Sequence, residues 1–322
     1  MIEPGPRRFL VEHLSDFRYG EPAQGSLMVL RLRPREDCGQ RVASFGLDID
    51  PAAAPAPFTD PFGNACHLFN IHREHRHTAV RSKAEVETVE TPPLPESLGA
   101  GAWEALDDGT ARFRHWEFLN PSHFARPGPA LAAFTEARGI RRAGDPLAAL
   151  RETAATLHAA FRYEPGSTTV DSPIEHILET GRGVCQDYTH VLIAIARSWG
   201  VPSRYVSGYL HREGAPGEQT PAGASHAWAE FLLPDLGWIG IDPTNDTFAD
   251  HRHVRIAVGR DYADAAPTRG AVFGGGESRL EVRVTVTESE EPVQATPAPR
   301  AERPNIRDVA PTPQVPRASA DQ

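Results

Sequence analysis

The chain has 322 residues, 40% of them hydrophobic and 24% charged, which is enough for two globular domains and a tail. A formal charge of −10, with no basic stripe, argues against nucleic acid as the main partner, since that surface needs clustered Lys and Arg. The start, Met-Ile-Glu-Pro-Gly-Pro-Arg-Arg, lacks the apolar core of a signal peptide, and no later run is long enough to span a bilayer. No membrane role is therefore expected, and the three cysteines, Cys38, Cys66 and Cys185, fit a reducing cytoplasm better than a disulfide framework.

From residue 7 to about 90 the pattern alternates with a period of two. Phe45, Leu47 and Ile49 are apolar where Ser44, Asp48 and Asp50 are polar, and Val80, Ala84 and Val86 face opposite Arg81, Lys83 and Glu85. Such stretches are half-buried strands. Asp60-Pro61-Phe62-Gly63-Asn64 is turn chemistry between two of them. Residues 1–95 are expected to form an N-terminal β-sandwich, and the Pro- and Gly-rich stretch over 96–125 a linker.

The period then changes. Asp145-Pro146 is an N-cap with proline at the first helical position, followed by Leu147, Leu150, Ala154, Leu157 and Phe161 at helical spacing. Ser172-Pro173-Ile174-Glu175 has the form of a capping box, and Gly181 is a natural stop. A third helix begins near Cys185, with Tyr188, Val191, Leu192, Ile195 and Trp199 making one buried face up to Gly200. Strands follow over 204–210, 225–233 and 238–242. Helices first and an antiparallel sheet afterwards define an α+β domain over 126–288. Its final strand alternates Leu280, Val282, Val284 and Val286 with Arg279, Glu281, Arg283 and Thr285. Beyond Ser289 the aperiodic Pro, Ala and charge of 289–322 predicts a disordered tail.

A nucleophilic thiol needs its thiolate favoured, by a helix N-terminus or an adjacent imidazolium. Gly183-Val184-Cys185 precedes a strong amphipathic helix, so the sulfur sits at the positive end of the helix dipole, where main-chain amides can also hold an oxyanion. A lone cysteine is more often a small buried hydrophobe. What counters that here is the pair of strands around Pro234-Asp235-Leu236-Gly237. His226, Trp228 and Glu230 share a face of the first, and Trp238, Gly240 and Asp242 share one of the second. If Leu232 pairs with Trp238, Asp242 lies across from Trp228 and diagonal to His226. A loop one residue shorter would separate them unless a bulge intervened. His190, the nearer histidine, lies about 140° round the helix from Cys185 and points away.

Gly183-Val184-Cys185-Gln186-Asp187, the helix ending at Gly200-Val201-Pro202, Gly208-Tyr209, His226-Ala227-Trp228-Ala229-Glu230 and Asp242-Pro243-Thr244 resemble, in that order, the core motifs of the transglutaminase-like superfamily. The N-terminal part, with Asp60-Pro61-Phe62-Gly63-Asn64, resembles the bacterial transglutaminase N-terminal region, and Gly259-Arg260-Asp261-Tyr262-Ala263-Asp264 the segment downstream of the core. The resemblance covers roughly residues 7–288 and implies a papain-like fold. In it Cys185 is the nucleophile, His226 the base and Asp242 the group that orients the imidazole. It also implies a peptide or protein substrate with an amide bond and no cofactor. Water or an amine would accept the acyl group, and a silent scaffold that keeps the fold is the alternative. Because asparagine can also position an imidazole, Asp242→Asn is expected to be the mildest single replacement in the triad.

Five further residues are candidates for substrate contact, packing or support of the triad. Tyr163 would be a second oxyanion donor, Trp228 and Tyr209 packing groups or the lining of an acyl pocket, Glu230 a supporting carboxylate or an exposed one, and Asp187 a support of the helix start. His67, His72, His75 and His77 do not match a familiar zinc pattern and read as a solvated strand face, so no metal site is expected.

Overall fold

A computed structural model describes residues 6–90, 92–99, 101–212 and 225–289; the tail expected from 289 onward lies outside the described residues after Ser289. Strands β1 (Arg7–Leu30), β2 (Gln40–Asp50), β3 (Ala56–Thr59), β4 (Ala65–Ile71) and β5 (His75–Thr88) follow the period-two signal. Along β1, Phe9, Val11, His13 and Ser15 are buried while the residues between them are not. The helical region contains α1 (Ala102–Asp107), α2 (Gly109–Arg114), α3 (Pro129–Ala137), α4 (Pro146–Ala160), α5 (Ile174–Thr180) and α6 (Cys185–Ser198), with the short strands β6 (Arg162–Tyr163) and β7 (Arg182–Gly183) between them. Then come β8 (Ser203–Leu210), β9 (Ser225–Leu233), β10 (Gly237–Asp242), β11 (Thr247–Phe248), β12 (His253–Gly259), α7 (Tyr262–Ala265), β13 (Thr268–Gly274) and β14 (Ser278–Glu288). Among the described residues no helix is long and apolar enough to cross a membrane.

The expected sandwich is one hydrogen-bonded sheet of seven strands, in the order β2-β5-β1-β4-β3 with β13 and β14 also on β1. The first half of β1 pairs with β5 and β14 and its second half with β4 and β13. Its register against β5 shifts between Arg18 and Ala23, which lets the sheet fold over on itself. Met28, Leu30, Phe69 and Ile71 from one half then share a core with Leu47, Ile49, Val80 and Phe17 from the other.

The final strand also departs from expectation. β14 was placed in the second domain by sequence order, yet it pairs with β1 of the N-terminal sheet. Its apolar face is what draws it there. Val284 and Val286 are buried with Phe9 and Val11 from β1 and with Tyr209, Val254 and Ile256 from the second domain. Leu280, at the far end, stays exposed.

In the helical region Asp145 caps α4 as expected, its carboxylate accepting the N–H groups of Leu147 and Ala148. Gly181 ends α5 at φ 68°, a left-handed conformation that glycine adopts without strain. The capping box at Ser172 does not form. Pro173 takes the cap position without a side-chain bond, and the Ser172 hydroxyl accepts from the Thr169 N–H instead.

α6 is buried all round, every residue from Gln186 to Arg197, where one buried face was expected. The stretch 96–125 is responsible, and it is more than a linker. Besides α1 and α2 it supplies Phe118, Phe124 and Ala125 to the interior. Phe124 stacks on His190, 5.2 Å between ring centroids, and Arg197 donates to the Phe118 carbonyl at 3.0 Å. Arg197 thus finds acceptors inside the fold, which offsets the cost of burying it. The apolar side packs against Ala227, Ala229 and Phe231 of β9, each large side chain contributing roughly 1.5–3 kcal/mol.

The second sheet is antiparallel throughout, in the order β11-β10-β9-β8-β12. Its α6-free face carries Trp228 and Val206, which meet Val258 and, from the N-terminal turn, Phe62.

Candidate active site

Cys185 is the first residue of α6, with Val184 in extended conformation at the cap. The turn is tied by Asp187, whose carboxylate accepts the Val184 N–H and the Thr168 hydroxyl, both at 2.7 Å. Burial raises the Asp187 pKa even though these bonds oppose it. Only glycine fits at position 183. A Cβ there would lie 2.6 Å from Ile177 Cδ1 and 2.9 Å from Asp187 Oδ2.

β10 pairs with β9 so that Trp238 faces Leu232 and Ile241 faces Ala229, the register that the sequence permitted. Continued by one residue, it sets Asp242 opposite Trp228 and diagonal to His226. The turn is tighter than expected, because Leu233 and Gly237 also pair. Both side chains are buried, Asp242 completely, and His226 Nε2 lies 2.7 Å from Asp242 Oδ2. Cys185 is close enough for its charge to raise the pKa of the His226 imidazole. Burial disfavours a charged imidazole, but the bond to Asp242, with the charges of Cys185 and Asp242, pushes His226 up to about 10. Asp242 is likewise opposed by burial, and bonds from His226 and His253 hold its carboxyl far below the usual range.

Asn245 and His253 also act at the site, and neither is among the candidates taken from the sequence. Asn245 donates its side-chain amide to Asp242 Oδ2 at 2.6 Å. Its main-chain N–H and that of Thr244 go to Oδ1. His253 Nε2 lies 3.3 Å from Asp242 Oδ2, while its Nδ1 accepts the Asp250 N–H at 3.1 Å. The spacing Asp242-Pro243-Thr244-Asn245 is a turn signal that points to Asn245. Alternation of Val254, Ile256 and Val258 marks β12 as a strand, but nothing local says where His253 points.

The other candidates are placed as follows. Tyr163 pairs with Gly183 across β6 and β7 and is half-exposed. Its hydroxyl pKa is raised by partial burial and by the neighbouring Cys185. Trp228 is fully buried, lying against the flat backbones of Gly208 and Gly240, and its ring stands 6.3 Å from that of His226. Tyr209 is also buried, its hydroxyl 2.8 Å from His13 Nδ1 of β1.

Glu230 shares a strand face with His226 but bonds to Arg204 and Arg255. It is completely buried, which corrects the exposed reading, and the two guanidinium groups outweigh burial and bring it down to about 2. His190 is stacked between Phe124 and Tyr205, accepts the Tyr262 N–H, and is pushed down to about 3 by burial. Cys66 is buried and Cys38 exposed, and burial raises the pKa of both thiols.

Among the described residues one set of donors is close enough to suggest a metal, namely His226, Asp242 and His253, within 4.8 Å of one another. The fit is poor. Tetrahedral ligands at about 2.0–2.1 Å from zinc stand about 3.3 Å apart, whereas the His226–Asp242 pair is closed to 2.7 Å. The distance suits a shared proton. His75 is engaged by Ser26 and His77 by Asp16, and His67 stacks on Phe45.

A cysteine at a helix N-terminus, a histidine on the adjacent antiparallel sheet and an aspartate on the next strand define a papain-like thiol constellation. The chain belongs to the transglutaminase-like superfamily. The superfamily core matches residues 135–243, and the bacterial transglutaminase-like N-terminal region matches residues 9–87. An uncharacterized protein of Mycobacterium leprae is 33% identical over 282 residues, 87% of this chain and 98% of that one. A protein-glutamine gamma-glutamyltransferase of Pseudomonas aeruginosa is 34% identical over 97 residues, 27% of this chain and 14% of that one. The crystal structure of a proposed cysteine protease from Cytophaga hutchinsonii shares the fold, with a TM-score of 0.68 and 18% identity over 91% of this chain and 94% of that one.

Proposed function

We propose that the protein is a thiol enzyme that cleaves or transfers amide bonds of a peptide or protein through a thioester on Cys185. The observation that carries this reading is the His226 ring held on Asp242 at 2.7 Å, with Cys185 at the N-terminus of α6 near enough for its charge to raise the imidazole's pKa. An imidazolium there stabilises negative sulfur. The sulfur adds to the substrate carbonyl carbon, and the oxygen that becomes negative is met by main-chain N–H groups left free in the first turn of α6. The Tyr163 hydroxyl, on the neighbouring strand, is the candidate for a second donor. Collapse of the adduct expels the amine, which takes a proton from His226. Water or an amine then attacks the thioester while His226 takes up its proton, and the thiol is released. Three unpaired cysteines suit such chemistry in a reducing compartment.

Turnover of a peptide and isopeptide library, with Cys185→Ala as the blank, tests the proposal. Products that depend on Cys185, together with acyl capture at that residue, support it. A protein that neither turns over nor is trapped at Cys185 would be a scaffold.

A further inference from the structure

β12 is an edge strand of its sheet, paired with β8 on one side only. On the other side two carboxamide side chains of the N-terminal sheet stand where a further strand would be. Asn64 donates to the Val258 carbonyl at 2.7 Å and accepts the Val258 N–H at 2.8 Å. Gln40 donates to the Arg255 carbonyl and accepts the Arg255 N–H, both at 2.8 Å. A carboxamide offers the donor and acceptor of a peptide group, so each closes the edge as a neighbouring strand would.

Both amides are themselves anchored. Asn64 is held by Asp60 at 2.9 Å and by Arg35 at 2.7 Å, and Gln40 reaches the Arg35 carbonyl at 2.7 Å. The Thr88 hydroxyl takes the His251 carbonyl at 2.8 Å. His253 is thus bracketed on either side, at His251 and at Arg255.

Its ring rests edge-on against Trp228, 5.1 Å between centroids. Its Nδ1 meets both the Asp250 N–H at 3.1 Å and Asp250 Oδ1 at 3.3 Å, and in the tautomer that accepts the N–H the proton stands on Nε2 and is donated to Asp242. The groups facing Asp242 are then His226 from β9, His253 from β12 and Asn245 from the turn after β10. Asp250, paired with Arg252, lies behind His253.

We infer that the N-terminal sheet is a working part of the site: through Gln40 and Asn64 it fixes β12, and β12 presents His253 as a positioning residue that holds Asp242 on His226. The inference rests on the reading of Cys185 as nucleophile. Its consequence is that the sheet acts on the reactivity of Cys185 through β12 and Asp242.

The test is the rate of Cys185 alkylation by iodoacetamide, followed by peptide mass spectrometry from acid to alkaline pH in the full chain. His253→Leu and Asn64→Ala should each slow it about 10-fold near neutrality, the cost of losing one bond to a charged group. The deficit should fade in alkali, where hydroxide makes the thiolate directly. His253→Gln, which keeps a donor at the Nε2 position, should recover to within about 3-fold of wild type, and the double variant should be no slower than the slower single one. A purely structural role would lower the folded fraction, read by near-ultraviolet circular dichroism, without moving the pH profile. Should His253→Leu fail to fold, Gln40→Ala carries the same expectation as Asn64→Ala. Unchanged profiles, or Gln no better than Leu, overturn the positioning role while Cys185 still outpaces Cys38 and Cys66. Equal rates at the three cysteines of the wild type overturn both readings.

Discussion

Replacing Asp242 by asparagine should be almost as damaging as removing the nucleophile. Oδ1 accepts the N–H groups of Thr244 and Asn245 at 3.0 and 3.2 Å. Oδ2 accepts His226, the Asn245 side chain and His253 at 2.7, 2.6 and 3.3 Å. A hydrogen approaches from every direction, and an asparagine has one oxygen to offer. With its NH2 turned to the main chain, two buried donors lose their acceptor, at about 1–3 kcal/mol each. Turned to His226 it costs less, because the imidazole can move its proton to Nδ1 and Asn245 can rotate its amide. That proton then faces Cys185, and the base is in the wrong tautomer, an error of about 10⁴-fold in kcat. His226 also loses the Asp242 part of what pushes it up to about 10, leaving only Cys185 to oppose burial. Asp242→Asn is therefore expected to lower kcat by about 10³–10⁴-fold with little change in KM, since the side chain is completely buried. This reverses the expectation from sequence that asparagine would be tolerated best. Steady-state kinetics on a substrate from the library, beside Cys185→Ala and His226→Ala, make the measurement. A variant that kept more than about a tenth of wild-type kcat would refute the donor accounting.

Glu230→Gln strands Arg204 and Arg255 and should cost about 3–5 kcal/mol in urea denaturation, while the Cys185 alkylation rate per folded molecule stays within about 2-fold; a matching loss of reactivity would place Glu230 in the site. Gly183→Ala should slow Cys185 alkylation by more than about 10-fold, because the new Cβ meets Ile177 and Asp187 at 2.6 and 2.9 Å and displaces the first turn of α6; a wild-type rate would show that the turn yields. Stability should also carry the mark of His226, whose pKa rises from 6.5 to about 10 on folding. The folded state then binds the extra proton, so this contribution is full below 6.5 and is lost as pH climbs towards 10. Urea midpoints should fall over that window in wild type and fall less in His226→Gln, and equal slopes would dismiss the ion pair.

Much of this was legible because it is local or periodic. The N-terminus of α6 is written in Gly183-Val184-Cys185, and the parity of a two-strand register was enough to bring Asp242 to His226. What could not be read was long-range. Asn64 looks like a turn residue, and its bond to Val258 spans the two sheets. Glu230 looks like an exposed strand carboxylate until Arg204 and Arg255 arrive from other strands. Burial of the polar side of α6 was hidden because its cover, Phe118 to Ala125, is too short and irregular to show a period. His253 carries no local signal at all. Its role depends on long-range folding that brings the start of β12, separated from β10 by two strands of the sheet, within side-chain reach of Asp242 at the end of β10.

The pairing of β14 with β1 has a consequence for how the protein is made. β1 leaves the ribosome well before its partner β14, so the second domain emerges whole before one long edge of β1 is closed. A chain cut short after β12 would carry Cys185, His226, Asp242 and His253, yet present one open edge of β1, eleven residues long at Phe9–Tyr19, to any other chain with an open edge. Such fragments should aggregate. Closure by β14 is then a late assembly step that separates finished molecules from unfinished ones.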